Sequence, residues 1–190
     1  MLRLFLLAAA YISFSHSAIA GPFGLDVESF NPVAGKCELK QPNLYSCNVP
    51  KPHPDIESYI VKFVENVGIC LIKGISEDIP DSRYGIDTKS KTDEIAAQLT
   101  PKYGKNTEFI DNLLPGSIWD QPEDWMMGLI KEERFYMYVW KPNEPVDGII
   151  SIYLAAQNTN TDNGYFAVEF HTSKSAECEA AIEKGSADSF

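Results

Sequence analysis

With 190 residues, 27 acidic and 16 basic side chains, the chain carries a net charge of −11, and 44% of its residues are hydrophobic. That is enough apolar material to bury a substantial core without depending on cross-links. So acidic a chain is repelled by phosphate backbones and anionic lipid, which argues against nucleic acid and membrane-surface partners and leaves basic partners, cations or plain solubility.

Residues 1–20, MLRLFLLAAAYISFSHSAIA, place Arg3 before an apolar run from Leu4 to Phe14 and end on the small residues Ala18-Ile19-Ala20. The run is too short for a bilayer span and no stop-transfer pattern follows, so the segment is read as a cleaved secretory signal. One domain over 21–190 is expected after cleavage, without membrane insertion. The address is periplasmic in a Gram-negative bacterium and secreted otherwise. Removing the signal takes Arg3 and no acid, which leaves 15 bases against 27 acids and a net charge of −12.

The next stretch, 21–36 (GPFGLDVESFNPVAGK), is turn-rich and expected to be an irregular arm. Four cysteines follow, and an even number in an exported chain favours disulfides. Cys37 and Cys47 flank two short strands about a Gln41-Pro42-Asn43 turn, so they are paired, which leaves Cys70 with Cys178. Strands are expected over Asn43 to Val49, Ile56 to Val64 and Gly68 to Ile75, the last two joined by a hairpin at Glu65 to Gly68. A helix over Asp87 to Gly104 is capped by Thr88 or Ser90, and Pro101 is expected to kink or break its last turn. A second helix, Pro122 to Glu132, is capped by Asp120 and turns Trp125, Met126 and Leu129 towards the core.

Three strands come next: RFYMYVW (Arg134 to Trp140), IISIYLAA (Ile149 to Ala156) and GYFAVEFH (Gly164 to His171), with an Asn163-Gly164 turn before the third. Alternation sorts them into a core face (Phe135, Met137, Val139; Ile150, Ile152, Leu154; Phe166, Val168, Phe170) and an opposite face. The opposite face holds Arg134, Tyr136, Tyr138, Trp140, then Ser151, Tyr153, Ala155, then Tyr165, Ala167, Glu169 and His171. A last helix over Ser175 to Lys184 and a frayed tail (185–190) complete the chain. The order implies an α+β fold: a mostly antiparallel sheet with helices packed on one face, in one disulfide-bonded domain.

Chemistry-bearing patterns are sparse. The chain lacks a G-x-S-x-G elbow, a Gly-rich phosphate loop and a C-x-x-C pair, and no cofactor is expected. Glu169 and His171 share a side of one strand and form a pairing that suggests a hydrolytic or metal site. The stretch Asn158 to Glu169 spaces Asn158, Asn160, Asp162 and Glu169 like a calcium loop, but glycine is out of place and strands, not helices, flank it. The sharper candidate is a binding surface of Arg134, Tyr136, Tyr138, Trp140, Tyr153 and Tyr165, because tyrosine and tryptophan offer rigid area with a polar tip. The expected function is therefore a non-catalytic binding protein, such as an inhibitor or immunity-type partner of a basic protein, with a peptide or glycan as other ligands. A Glu169/His171 hydrolase and an envelope assembly factor are the alternatives. Nothing in the sequence sets an oligomeric state.

Overall fold

The computed structural model of the protein describes residues 21–187, so the signal expected over residues 1–20 and the last three residues lie outside it. The first strands are β1 (Glu38–Gln41), β2 (Leu44–Ser46), β3 (Ser58–Val64), β4 (Gly68–Ile75) and the short β5 (Ile79–Pro80), followed by helix α1 (Ile86–Tyr103). Then come β6 (Glu108–Leu113), helix α2 (Trp125–Ile130), β7 (Arg134–Trp140), β8 (Ile149–Asn158), β9 (Asn163–Thr172) and helix α3 (Ser175–Ala187). The strands form one nine-stranded sheet in the order β1-β2-β3-β4-β9-β8-β7-β6, with β5 added to β9. Every strand pair is antiparallel. Two meanders, β1 to β4 and β6 to β9, thus meet where β4 pairs with β9, and α1 carries the chain from the first to the far edge of the second. This is the expected α+β architecture, with both disulfides, Cys37–Cys47 and Cys70–Cys178, paired as expected. Among the described residues no helix is long and apolar enough to cross a membrane.

The core lies between the sheet and α1. Ile152 and Leu154 of β8, Phe166 and Val168 of β9 and Ile72 of β4 are all buried there, with Ile95 and Ala96 of α1 over them. The irregular arm is also part of this core: Leu25 and Val27 are buried, and the Phe23 ring meets Tyr59 and Phe170 edge-on at 4.8 and 5.5 Å.

The start of α1 departs from the expected capping. Gly85 precedes the helix in a left-handed conformation (φ 65°), and neither Thr88 nor Ser90 caps it. Asp81, upstream, accepts instead from the Thr88 amide at 2.7 Å and its hydroxyl at 2.6 Å, which satisfies a first-turn N–H beside the helix dipole. Burial pushes the Asp81 carboxyl up, but these bonds and the Ser82 amide outweigh it and hold it below the ordinary aspartate value. The helix then runs through Pro101 to Tyr103 instead of breaking there. A 3₁₀ turn at Pro122–Asp124 leads into α2, and Asp120 does not cap it.

Two glycines explain how closely the helices sit. A Cβ on Gly164 would lie 2.0 Å from Thr88 Oγ1, and one on Gly85 would lie 1.9 Å from the Trp125 ring. Gly164 is therefore inside β9, and the turn between β8 and β9 is made by residues 159–162, not by the expected Asn163-Gly164 pair.

Candidate functional site

Pairing register decides which side chains can meet a ligand. Tyr138 of β7 is opposite Leu154 of β8, and Trp140 is opposite Ile152, so both share the face that α1 covers. Tyr136 and Trp140 are 7% and 1% exposed. The hydroxyls of Tyr136 and Tyr138 both donate to Asp93 of α1, at 2.6 and 2.8 Å, and the Trp140 indole donates to the Gly104 carbonyl at 3.0 Å. Burial and the Asp93 carboxylate raise both phenols, Tyr138 to about 12. Trp125, Met126 and Leu129 of α2 pack on Tyr136 from the same side, as their helical spacing implied.

The expected single face of six residues is thus split. Tyr136, Tyr138 and Trp140 clamp the helices, whereas Phe135, Met137 and Val139 lie with Tyr153 and Ala155 on the opposite face, because Met137 pairs with Ala155 and Val139 with Tyr153. A one-residue offset in pairing exchanges the two faces of a strand. Ile150 also changes place: a bulge between Ile149 and Ser151 leaves Ile150 39% exposed and buries Ile149 instead. Arg134 sits at the start of β7, its guanidinium 3.6 Å from Asp111, with its Nε buried and unpartnered beside Gly128 of α2.

The opposite face carries a groove of about 540 Å³ that crosses β4, β9, β8 and β7. Its floor is one cross-strand row, Ile75–Ala167–Ala155–Met137, set by the pairings Ile75↔Ala167, Ala167↔Ala155 and Ala155↔Met137. The two central alanines make the floor low. One wall is the next row, Lys73–Glu169–Tyr153, and the other is Tyr165 with Gln157. Glu57 and Asp78, both exposed, stand at the β4 end.

Charge inside the groove is largely internal. Lys73 Nζ is 2.9 Å from Glu169 Oε1, and His171 Nε2 is 3.7 Å from Glu169 Oε2. The His171 ring, seated edge-on against Tyr153 at 5.3 Å, is the first cause that holds the Glu169 carboxyl low, at about 2; burial opposes it and Lys73 adds to it. A carboxyl ionised down to that pH has no proton to give as a general acid near neutrality, although it orients His171. The groove therefore combines aromatic walls, a small apolar floor and one closed ion-pair network.

Of the sequence-derived candidates, the groove unites Tyr153, Tyr165 and Glu169, with His171 adjoining. Sequence reasoning missed Lys73, Ile75, Glu57 and Asp78, which become neighbours only through the β4–β9 pairing. The alternation of small residues at Ala155 and Ala167 was the visible signal of the floor. Among the described residues no cluster of three or more His, Cys, Asp or Glu side chains is placed to hold a metal ion. Comparison of the chain with known protein families, characterised proteins and solved structures finds no match.

Proposed function

We propose that this is an exported, non-catalytic binding protein whose ligand surface is the groove on the sheet face opposite α1 and α2, and that its partner is a basic protein. The observation that carries this reading is the groove between Tyr153 and Tyr165 on a face that α1 and α2 leave uncovered. Rigid aromatic walls above a low floor offer contact area at small cost in side-chain entropy. Two disulfides suit an oxidising compartment, periplasmic in a Gram-negative bacterium and extracellular otherwise. The net charge of −12 after signal removal steers basic partners towards it, as an inhibitor or immunity-type protein would require.

The test is affinity capture from native extract at low and high salt, with wild type beside a Tyr153→Ala/Tyr165→Ala variant. A basic partner held by wild type, released by salt and not retained by the variant supports the reading. Equal capture by both proteins, or none by either, removes it. The Glu169–His171 contact of 3.7 Å favours a second reading as a hydrolase site, with His171 as base. Hydrolytic activity absent from a Glu169→Ala/His171→Ala variant would support that reading against the first.

A further inference from the structure

Within the binding reading above, we infer that the groove takes an extended segment of the partner chain carrying lysine or arginine, with its cationic side chain at the Glu57/Asp78 end. The inference rests on that reading and adds the chemistry of the occupant.

Three observations lead to it. First, the floor runs across the strands, through Ile75, Ala167, Ala155 and Met137, so three inter-strand spacings separate its ends. At about 4.8 Å per spacing this is roughly 14 Å, the span of about four residues of extended chain. Alanine at the two central positions leaves a trough for small or unbranched side chains, whereas a folded surface would meet Tyr153 and Tyr165 first.

Second, the unbalanced charge lining the groove itself lies at its β4 end. Lys73 and Glu169 neutralise each other at 2.9 Å. Glu57 and Asp78 line the same groove and, among the described residues, neither enters an ion pair. An incoming ammonium or guanidinium would meet two unpaired carboxylates, in the field of a chain whose net charge is strongly negative.

Third, the groove has an outlet at the other end. The register of β7 with β8 stops at Met137↔Ala155, although β7 reaches back to Arg134 and β8 runs on to Asn158. Where the strands diverge, a second pocket of about 270 Å³ opens, and it shares Met137, Ala155 and Gln157 with the groove. The backbone of a ligand crossing the floor can continue past Met137 towards Glu132 and Arg134 at the rim of that pocket.

The test uses the disulfide-intact protein and two blocked hexapeptides of equal length, one with two lysines among alanines and glycines, one with two glutamates instead. Binding is followed by NMR through the Ala155 and Ala167 methyl groups. The expected result is saturable shifts of both methyls with the lysine peptide, at least tenfold weaker binding of the glutamate peptide, and loss of binding in Ala155→Leu, whose longer side chain raises the floor. Glu57→Gln and Asp78→Asn should each weaken the lysine peptide by about two- to fivefold, and less in high salt. Equal affinity for both peptides, shifts confined to other residues, or unchanged binding in Ala155→Leu overturns the inference. If the extract partner depends on Tyr153 and Tyr165 yet is indifferent to Glu57→Gln and Asp78→Asn, the cationic occupant is wrong and the binding face stands. If no partner depends on the tyrosines, the binding reading itself fails.

Discussion

Replacing Gly164 by alanine probes the seat of α1 on β9, on which the assignment of covered and open faces depends. The added Cβ would lie 2.0 Å from Thr88 Oγ1, 2.7 Å from its Cγ2 and 2.9 Å from its Cβ. Thr88 is fully buried, and its hydroxyl is tied to Asp81 at 2.6 Å, so the side chain cannot swing aside without breaking that bond. Overpacking of this kind costs about 1–3 kcal/mol. Displacing a hydrogen bond to an ionised carboxylate adds about 1.5–3 kcal/mol, and the lower unfolded-state entropy of alanine returns about 0.4–1 kcal/mol. The net expectation is a loss of roughly 2–5 kcal/mol, or a fall in Tm of about 4–20 °C for a domain of this size. Urea unfolding with intact disulfides, followed by far-UV circular dichroism, measures it. A second variant, Thr88→Ala, removes the two nearest contacts. In the double variant the losses should fall short of additivity by about 1–2 kcal/mol. A Gly164→Ala protein within about 0.5 kcal/mol of wild type, or strictly additive losses, would refute this packing.

Other consequences concern pH and cross-links. The Glu169 carboxyl is held at about 2 by His171 and Lys73 against an unfolded value of 4.5, so its contribution is present above pH 4.5 and is lost as pH falls towards 2. Because the network is about one-third exposed, the effect is about 1 kcal/mol, and Glu169→Gln should flatten that part of the acid stability curve. Tyr138 behaves oppositely: burial and Asp93 raise it to about 12, so its contribution is full below pH 10 and lost as pH rises through 12. Ultraviolet titration should show its phenolate appearing late, and Asp93→Asn should bring it earlier. Replacing Cys70 and Cys178 by serine opens a loop with a sequence separation of 108 and should cost up to about 4–5 kcal/mol; the Cys37–Cys47 loop, with a separation of 10, should cost about 3 kcal/mol. Denaturant midpoints of the two double-serine variants should fall in that order.

How far the sequence revealed the fold depended on how unequal the two faces of each strand were. β8 and β9 alternate Ile152, Leu154, Val168 and Phe170 with Tyr153, Glu169 and His171, so their core face was legible. β7 is apolar on both faces, with Phe135, Met137 and Val139 on one and Tyr136, Tyr138 and Trp140 on the other. Only its pairing with Leu154 and Ile152 decides which set faces α1 and α2, and pairing is not a local property. β6 escaped notice because it is an edge strand whose Glu108 and Asp111 face water, a composition that also discourages edge-to-edge association. Asn163-Gly164 has the composition of a turn, yet Gly164 is needed for the approach of Thr88. The Cys37–Cys47 pairing and the helix pattern of α1 were local and came through, and the first left Cys70 for Cys178 by elimination. The groove was not legible as a unit, since it joins β4 to β9 and β8 across nearly a hundred residues of chain.

For a ligand to reach the groove, Tyr153 and Tyr165 must meet solvent while Tyr136 stays closed under α1 and α2. Residue-resolved nitration of tyrosines in the folded, disulfide-intact protein distinguishes the two environments. The structure predicts early modification of Tyr153 and Tyr165, with Tyr136 protected until the protein unfolds. Early nitration of Tyr136 with Tyr153 and Tyr165 protected would contradict the account.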